Sequence, residues 1–263
     1  MARQPVKDPD YVAFLDIARE AARTARKKIL EHYQGSFEVE TKSDQTPVTV
    51  ADREAETCIR DILTKACPDH AVFGEEFGGK ADDAEYLWLV DPIDGTKSFV
   101  QGYGMFSTQI ALMHRGEIVV GVSHAPAYDE SAWAVRGQGA WVNGRRAAVS
   151  QCPEVKGASV STGNISSLAA TPRWAALGSI LAVAGRTRGY GDYYHYHRLA
   201  AGQLDAVIES DVNILDIAAL SLIVSEAGGV FTDLSGQPPT LETRTVLAAG
   251  PSLHAELLSM LRA

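Results

Sequence analysis

In Tyr86-Leu87-Trp88-Leu89-Val90-Asp91-Pro92-Ile93-Asp94-Gly95-Thr96 the chain changes its period. Before it, apolar residues recur at helical spacing. Leu15, Ala18, Ala22, Ala25 and Ile29 predict a first helix that Asp10 can cap and Gly35 ends. Ala51, Ala55, Ile59, Ile62 and Ala66 predict a second, between Thr49 and Pro68. The run 86–90 is short and apolar throughout, which predicts a buried strand. Two acids follow it directly, so both carboxylates are expected to emerge from a rigid sheet edge, with Pro92 narrowing the geometry between them. Downstream, 107–113 and 117–124 flank Arg115-Gly116 as an antiparallel hairpin, and 131–136 with 139–142, before the turn at Asn143-Gly144, extend the meander. Near Cys152-Pro153 the pattern shifts again. Strands at 158–161, 204–209, 230–232 and 246–248 are expected among helices at 172–183, 194–201, 214–227 and 253–261. An α+β half over 1–150 on a mostly antiparallel sheet and an α/β half over 151–263 follow from this order, with no internal repeat.

The 263 residues, 46% of them hydrophobic, are enough for a packed core that needs no disulfide or structural metal. With 22% charged residues, 23 Gly and 11 Pro, the composition excludes a disordered, collagen-like or coiled-coil chain. A net charge of −9 argues against a nucleic-acid or anionic-membrane surface, and a phosphorylated ligand would then need a local cation. Cys58, Cys67 and Cys152 are odd in number and form no C-x-x-C, so neither a disulfide framework nor a zinc ribbon is written here. The first ten residues lack a signal-peptide core, and no apolar run approaches the ~18 residues of a membrane span, which predicts a cytoplasmic protein.

Four acids stand where folding alone does not want them. Asp216 is the only charged residue between Val212 and Ser225, on a stretch with no polar face. A helix apolar all round is buried, and a lone buried carboxylate is costly. Stabilisation by the helix N-terminus is the competing explanation, although Asp211 or Asn213 would be the more natural cap. Asp91, Asp94 and the Ile93 carbonyl offer three hard oxygen donors, the type Mg²⁺ selects. Gly95 lets the backbone approach a ligand, and the N–H groups of Gly95 and Thr96 can cradle a phosphate, whereas Asp-Gly taken alone would mean no more than a turn. Gly74-Glu75-Glu76 closes a short strand at 71–73 and in isolation reads as an acidic loop. Thr49-x-x-Asp52 is a capping box with Asp in place of Glu, and Asp52 can serve a site as well. If Glu75, Asp91, Asp94 and Asp216 converge, their joint charge is untenable without compensation, and no Lys or Arg cluster accompanies them in sequence. Two divalent cations would neutralise them and attract a phosphate for in-line displacement by water. Neither Asp-x-Asp-x-Thr nor Cys-x₅-Arg is present, so no phosphoenzyme is expected.

Together, Gly74-Glu75-Glu76, the string from Trp88 to Phe99, and Leu215-Asp216-Ile217-Ala218-Ala219 with Glu226-Ala227-Gly228-Gly229 resemble the inositol monophosphatase family of Mg²⁺-dependent, lithium-sensitive phosphatases. The resemblance implies a layered αβαβα sandwich, a homodimer, and two or three Mg²⁺ in a cleft between the halves. It implies Glu75, Asp91, the Ile93 carbonyl, Asp94 and Asp216 as metal ligands, with Glu75 in the catalytic set. Asp94, Asp216 and the amides of Gly95 and Thr96 would hold substrate. Asp52 and Thr96 would orient the attacking water, and Lys42 would sit on a loop over the site.

Within the family, Gly191-Asp192-Tyr193-Tyr194, Glu209-Ser210, Gly102-Tyr103-Gly104 and Ala125-Pro126 look more like the histidinol-phosphate phosphatases than the inositol enzymes. Histidinol phosphate carries an ammonium and an imidazole that Asp192 and Glu209 would pair with. Asp192 reads equally as a helix N-cap, and Glu209 occurs in inositol phosphatases too. The expected reaction is hydrolysis of L-histidinol phosphate to L-histidinol and phosphate. An inositol 1-phosphate phosphatase, then a bisphosphate nucleotidase or fructose-bisphosphatase relative, are the alternatives, and a non-catalytic phosphate binder is the alternative of another class. His195-x-His197 tempts a metal reading, but on a helix the two point apart and no third ligand follows. Tyr193, Tyr194 and Tyr196 are expected to pack or to meet a dimer partner.

Overall fold

The computed structural model describes residues 10–33, 39–41, 47–79 and 84–262, so Lys42 lies outside the described residues. Asp10 Oδ1 accepts from the amides of Val12 and Ala13, and this cap opens α1 (Tyr11–Tyr33). A two-stranded ribbon, β1 (Val39–Thr41) with β2 (Pro47–Thr49), leads into α2 (Val50–Ala66). A seven-stranded sheet follows in chain order: β3 (Ala71–Gly74), β4 (Tyr86–Asp94), β5 (Ser107–His114), β6 (Glu117–Ala125), β7 (Glu130–Val135), β8 (Gly139–Val142) and β9 (Arg145–Arg146). Every neighbouring pair is antiparallel except β3 with β4. The short α3 (Thr96–Val100) joins β4 to β5.

Strands of the second half are β10 (Ser159–Gly163), β11 (Arg186–Arg188), β12 (Ala206–Ser210), β13 (Val230–Thr232) and β14 (Thr245–Ala249). They form one mixed sheet in the order β11-β10-β12-β14-β13. Its helices are α4 (Ser166–Ala169), α5 (Arg173–Val183), α6 (Asp192–Ala200), α7 (Ile214–Glu226) and α8 (Pro251–Arg262).

Three apolar clusters turn these elements into layers. Leu15, Ala18, Ala22, Ala25 and Ile29 of α1, with Ala55 and Ile59 of α2, pack on Trp88, Ile110 and Val120 on one face of the large sheet. On its other face, Leu89 and Ala111 meet Ile217, Ala218 and Leu220 of α7, which with Tyr196 and Leu199 of α6 also contact Val207 and Val246 of the small sheet. Ile180 of α5 and Leu253 and Leu257 of α8 cover the outer face against Ile208 and Leu247. The result is the αβαβα sandwich. It explains why α7 lacks a polar face: sheets lie on both sides of it, and each fully buried Ile or Leu there contributes roughly 1.5–3 kcal/mol.

Several details depart from expectation. β4 runs on through Asp94 instead of ending at Val90, and it lies between β3 and β5, not at a sheet edge. Its register with β5 breaks between Asp91 and Asp94, so Pro92, which has no N–H to donate, sits where the ladder is already interrupted. The buried face of α2 ends at Leu63 and includes Asp52 and Glu56, while Ala66 is exposed. Helix α6 starts two residues early, with Gly191 as its N-cap and Asp192 as its first residue. The motif acid Glu226 is structural: it accepts the amides of Gly137 at 2.8 Å and Gly139 at 2.7 Å and clasps the β7–β8 turn to the end of α7. The three cysteines are free, and no described helix is long and apolar enough to cross a membrane.

Candidate active site

The break in β4 shapes the site. Asp91 is buried, and its Oδ1 accepts the Ile93 amide at 2.9 Å, which turns the chain across Pro92. Thr108 Oγ1 pins the Pro92 carbonyl at 2.8 Å. The Ile93 side chain enters the apolar layer beneath α1 and α2, while its carbonyl accepts Thr96 Oγ1 at 3.1 Å. Asp94 Oδ2 accepts from Ser107 Oγ at 3.2 Å. Gly95 then takes φ +88° as the N-cap of α3, a left-handed conformation in which a Cβ would stand 2.8 Å from the Met105 carbonyl oxygen.

Asp216 arrives from the opposite side. Asn213 caps α7, and Asp216 closes the capping box, accepting the Asn213 amide at 2.8 Å and its side-chain nitrogen at 2.7 Å. The capping explanation therefore holds, and the same cap orients the carboxylate beside Asp91 and Asp94. Carboxylate oxygens of Asp91, Asp94 and Asp216 lie within 4.8 Å of one another. Glu75 falls outside that triad of distances, but it is near enough to raise the proton affinity of Asp91 and it lines the same cavity, of about 340 Å³. Ile93, Gly95, Thr96 and Asp192 line it too.

Asp52, like Asp216, closes a capping box. Its Oδ2 accepts the amide and hydroxyl of Thr49 at 2.7 and 2.5 Å in the capping box of α2. It is buried and is not among the residues lining the cavity, although β2, just before it, packs on α3. Cavity-lining residues that the sequence did not mark include Lys97, Asn164, Asp211 and Arg244, so two cations do flank the acids. Asn164, Asp192 and Asp211 have φ of +46°, +49° and +59°, and the clustering of left-handed non-glycine residues at one cleft is the kind of strain that functional sites hold.

Below the cavity, Asp94, Asn164, Asp192, Tyr196, Glu209 and Asp216 line a small recess. Glu209 is buried; its Oε2 accepts Tyr196 Oη at 2.5 Å and lies 3.1 Å from His195 Nε2, while its Oε1 has no hydrogen-bond partner. His197 turns the other way, to Glu130 at 2.7 Å and Ser123 at 2.8 Å. The two histidines thus point to different sheets, as their helical spacing demands. Tyr193 and Tyr196 are buried packing residues. A larger cavity of about 550 Å³ lies between α1 and the β6–β7 strands, but its mixed basic and acidic lining gathers no comparable excess of one charge.

Burial raises the acids' proton affinity, and crowding raises it further. Asp91 is pushed well above the usual range by burial, then by Glu75, Asp94 and Asp216. Asp94 is raised by burial, then by Asp216, Asp192 and Glu209. Burial lifts Asp216 to about 7 against the pull of its Asn213 hydrogen bonds, and lifts Asp192 to about 6 with help from Glu209. These carboxyls bind protons more tightly folded than unfolded, so they destabilise the metal-free fold as pH rises from about 4 towards 7. A hard divalent cation relieves the same repulsion. The donor set, all carboxylate and carbonyl oxygen with no sulfur or imidazole, fits Mg²⁺.

Comparison with known proteins agrees with this geometry. The model of the inositol monophosphatase family matches residues 10–263. A histidinol-phosphatase of Streptomyces coelicolor is 37% identical over 263 residues, covering 96% of this chain and 98% of the relative. One of Mycobacterium tuberculosis is 39% identical over 230 residues, covering 86% and 88%. The crystal structure of the extragenic suppressor protein suhB from Bartonella henselae superposes with a TM-score of 0.87 at 30% identity, covering 95% of this chain and 98% of that one. The layered fold, its acid-lined cleft and these relatives define the class, a phosphoric monoester hydrolase. The chain belongs to the inositol monophosphatase family.

Proposed function

We propose that this chain is a Mg²⁺-dependent histidinol-phosphate phosphatase, working as a cytoplasmic homodimer. The observation that carries the substrate reading is Asp192, held in a left-handed conformation on the cavity wall beside the unpartnered Oε1 of Glu209. Two carboxylates at the leaving-group end suit a cationic alcohol better than a neutral polyol, which wants mixed donors and acceptors. The histidinol-phosphatase relatives support the same choice.

Glu75, Asp91, Asp94, Asp216 and the Ile93 carbonyl would hold Mg²⁺, whose positive charge would polarise the phosphoryl group and the attacking water. The amides of Gly95 and Thr96 would seat the phosphate, with Asp94 beside them. Thr96 Oγ1 donates its hydrogen bond to the Ile93 carbonyl, which leaves the hydroxyl's lone pairs free to accept from water and so to orient it. Asp52, anchored at the start of α2, would be the second half of that pair, and water attacks phosphorus in line without a phosphoenzyme.

Rates on histidinol phosphate and inositol 1-phosphate, measured side by side, test the substrate. The expected result is a kcat/KM at least ~10-fold higher for histidinol phosphate. Asp192→Asn should lower that value by about 10–100-fold, the loss of one hydrogen bond to a charged group, and change the inositol 1-phosphate value less than about 3-fold. Comparable rates on both substrates, or an equal loss on both in the variant, would overturn the assignment.

A further inference from the structure

Helix α2 carries a charged ladder on its buried face: Asp52, Glu56 and Arg60 follow at four-residue spacing. Glu56 is 0% exposed. Its Oε1 accepts Arg60 Nε at 2.7 Å and the Phe77 amide at 3.3 Å, and its Oε2 accepts the Glu76 amide at 2.7 Å. Arg60 goes on to donate to the Gly78 carbonyl, and to that of Val72 at 3.4 Å, and its guanidinium lies over the Phe77 ring. One ion pair therefore grips the chain on both sides of Glu75.

The turn itself is tight. Gly74 and Gly78 exchange backbone hydrogen bonds at 3.1 and 2.9 Å, and the Glu75 amide donates to Val90 of β4 at 3.1 Å. A Cβ on Gly74 would stand 2.0 Å from Glu56 Oε1, so the carboxylate presses against bare backbone just before Glu75. This accounts for the glycine in Gly74-Glu75-Glu76: no other residue leaves room for Glu56. A buried ion pair adds little net stability over an apolar pair of equal size, so its use here calls for a role in setting conformation.

We propose that Glu56, braced by Arg60, is a positioning residue for Glu75: it fixes the turn so that the Glu75 carboxylate meets Asp91 at the cavity. The inference rests on the reading of Glu75 as a metal ligand. Residues that orient ligands typically govern about 10–100-fold in metal affinity.

Calorimetric titration with Mg²⁺ alone, without substrate, tests the brace on Glu56→Ala, Glu56→Gln, Arg60→Met and Glu75→Gln. Glu75→Gln and Glu56→Ala should each weaken Mg²⁺ binding by about 10–100-fold, and in Glu56→Ala KM for the phosphomonoester at saturating Mg²⁺ should stay within about 3-fold. Glu56→Gln keeps an acceptor for the turn amides and should recover most of the loss. Arg60→Met frees the carboxylate from its brace and should weaken binding by about 3–10-fold. Wild-type affinity in Glu56→Ala beside weakened affinity in Glu75→Gln would overturn the positioning role and leave the ligand reading standing. Wild-type affinity in Glu75→Gln would sink the ligand reading itself. Should Glu56→Ala fail to fold, Arg60→Met decides, and unchanged Mg²⁺ affinity there would refute the brace.

Discussion

Asp94→Asn lowers phosphate release from every phosphomonoester by about 10³-fold or more, a loss of ~4 kcal/mol of transition-state stabilisation, while the chain still folds. Asp94 sits at the end of β4, its carboxylate is one of the three gathered acids, and in the proposed mechanism it serves both the cations and the phosphate seat. The amide is nearly isosteric and still accepts from Ser107, so the local hydrogen bond survives. In the metal-free state the substitution removes a carboxyl that Asp216, Asp192 and Glu209 crowd, so melting should be unchanged or slightly raised. Phosphate release and far-UV circular dichroism on the same preparation check both halves. Residual activity within tenfold of the parent would contradict the role.

Gly95→Ala damages both fold and activity. A side chain at φ +88° costs about 1–2 kcal/mol, and a Cβ 2.8 Å from the Met105 carbonyl forces the start of α3 to shift. The expected destabilisation is about 2–3 kcal/mol, or ~5–10 °C in Tm for a chain of this length. The displacement carries Thr96 with it, and misplacing such groups by ~1 Å costs on the order of 10²-fold in kcat/KM. A variant that melts and turns over like the parent would show that neither the left-handed turn nor its neighbouring amides matter.

How much of this was legible beforehand depended on the range of the interaction. α1 and α7 were readable because an apolar face repeats locally, and Asp216 stood out because nothing polar surrounds it in sequence. The Asp91–Asp94 string leads to the acid-lined cavity, yet β4 does not end where the apolar run does: its register breaks at Pro92 only because β5 runs alongside. The short α3 and the exposed edge strand β11 carry too few residues for a period to show. Glu56 is hard to single out because the turn amides it holds lie about twenty residues away, while its pairing with Arg60 at four-residue spacing looks like an ordinary surface helix pair. Glu209 was marked as a substrate residue, but its hold by His195 and Tyr196 arises only when β12 passes beside α6. Asp216 teaches a related lesson. Capping and site chemistry are not rivals at a helix start, because a carboxylate tied to its own N-cap is already oriented.

The central claim is that distant acids are gathered to hold cations, and melting curves with and without Mg²⁺ test it most directly. Stripped of metal, the protein should lose on the order of 5 °C in Tm between about pH 5.5 and pH 8, because Asp216 and Asp192 surrender protons that the fold prefers to keep. Mg²⁺ fixed at ~100 times its Kd at pH 8 should then restore about 2.7 kcal/mol at that pH and less at pH 5.5, where protons compete for the same carboxylates. A Tm that ignores both pH and Mg²⁺ would mean that the carboxylates do not share one site.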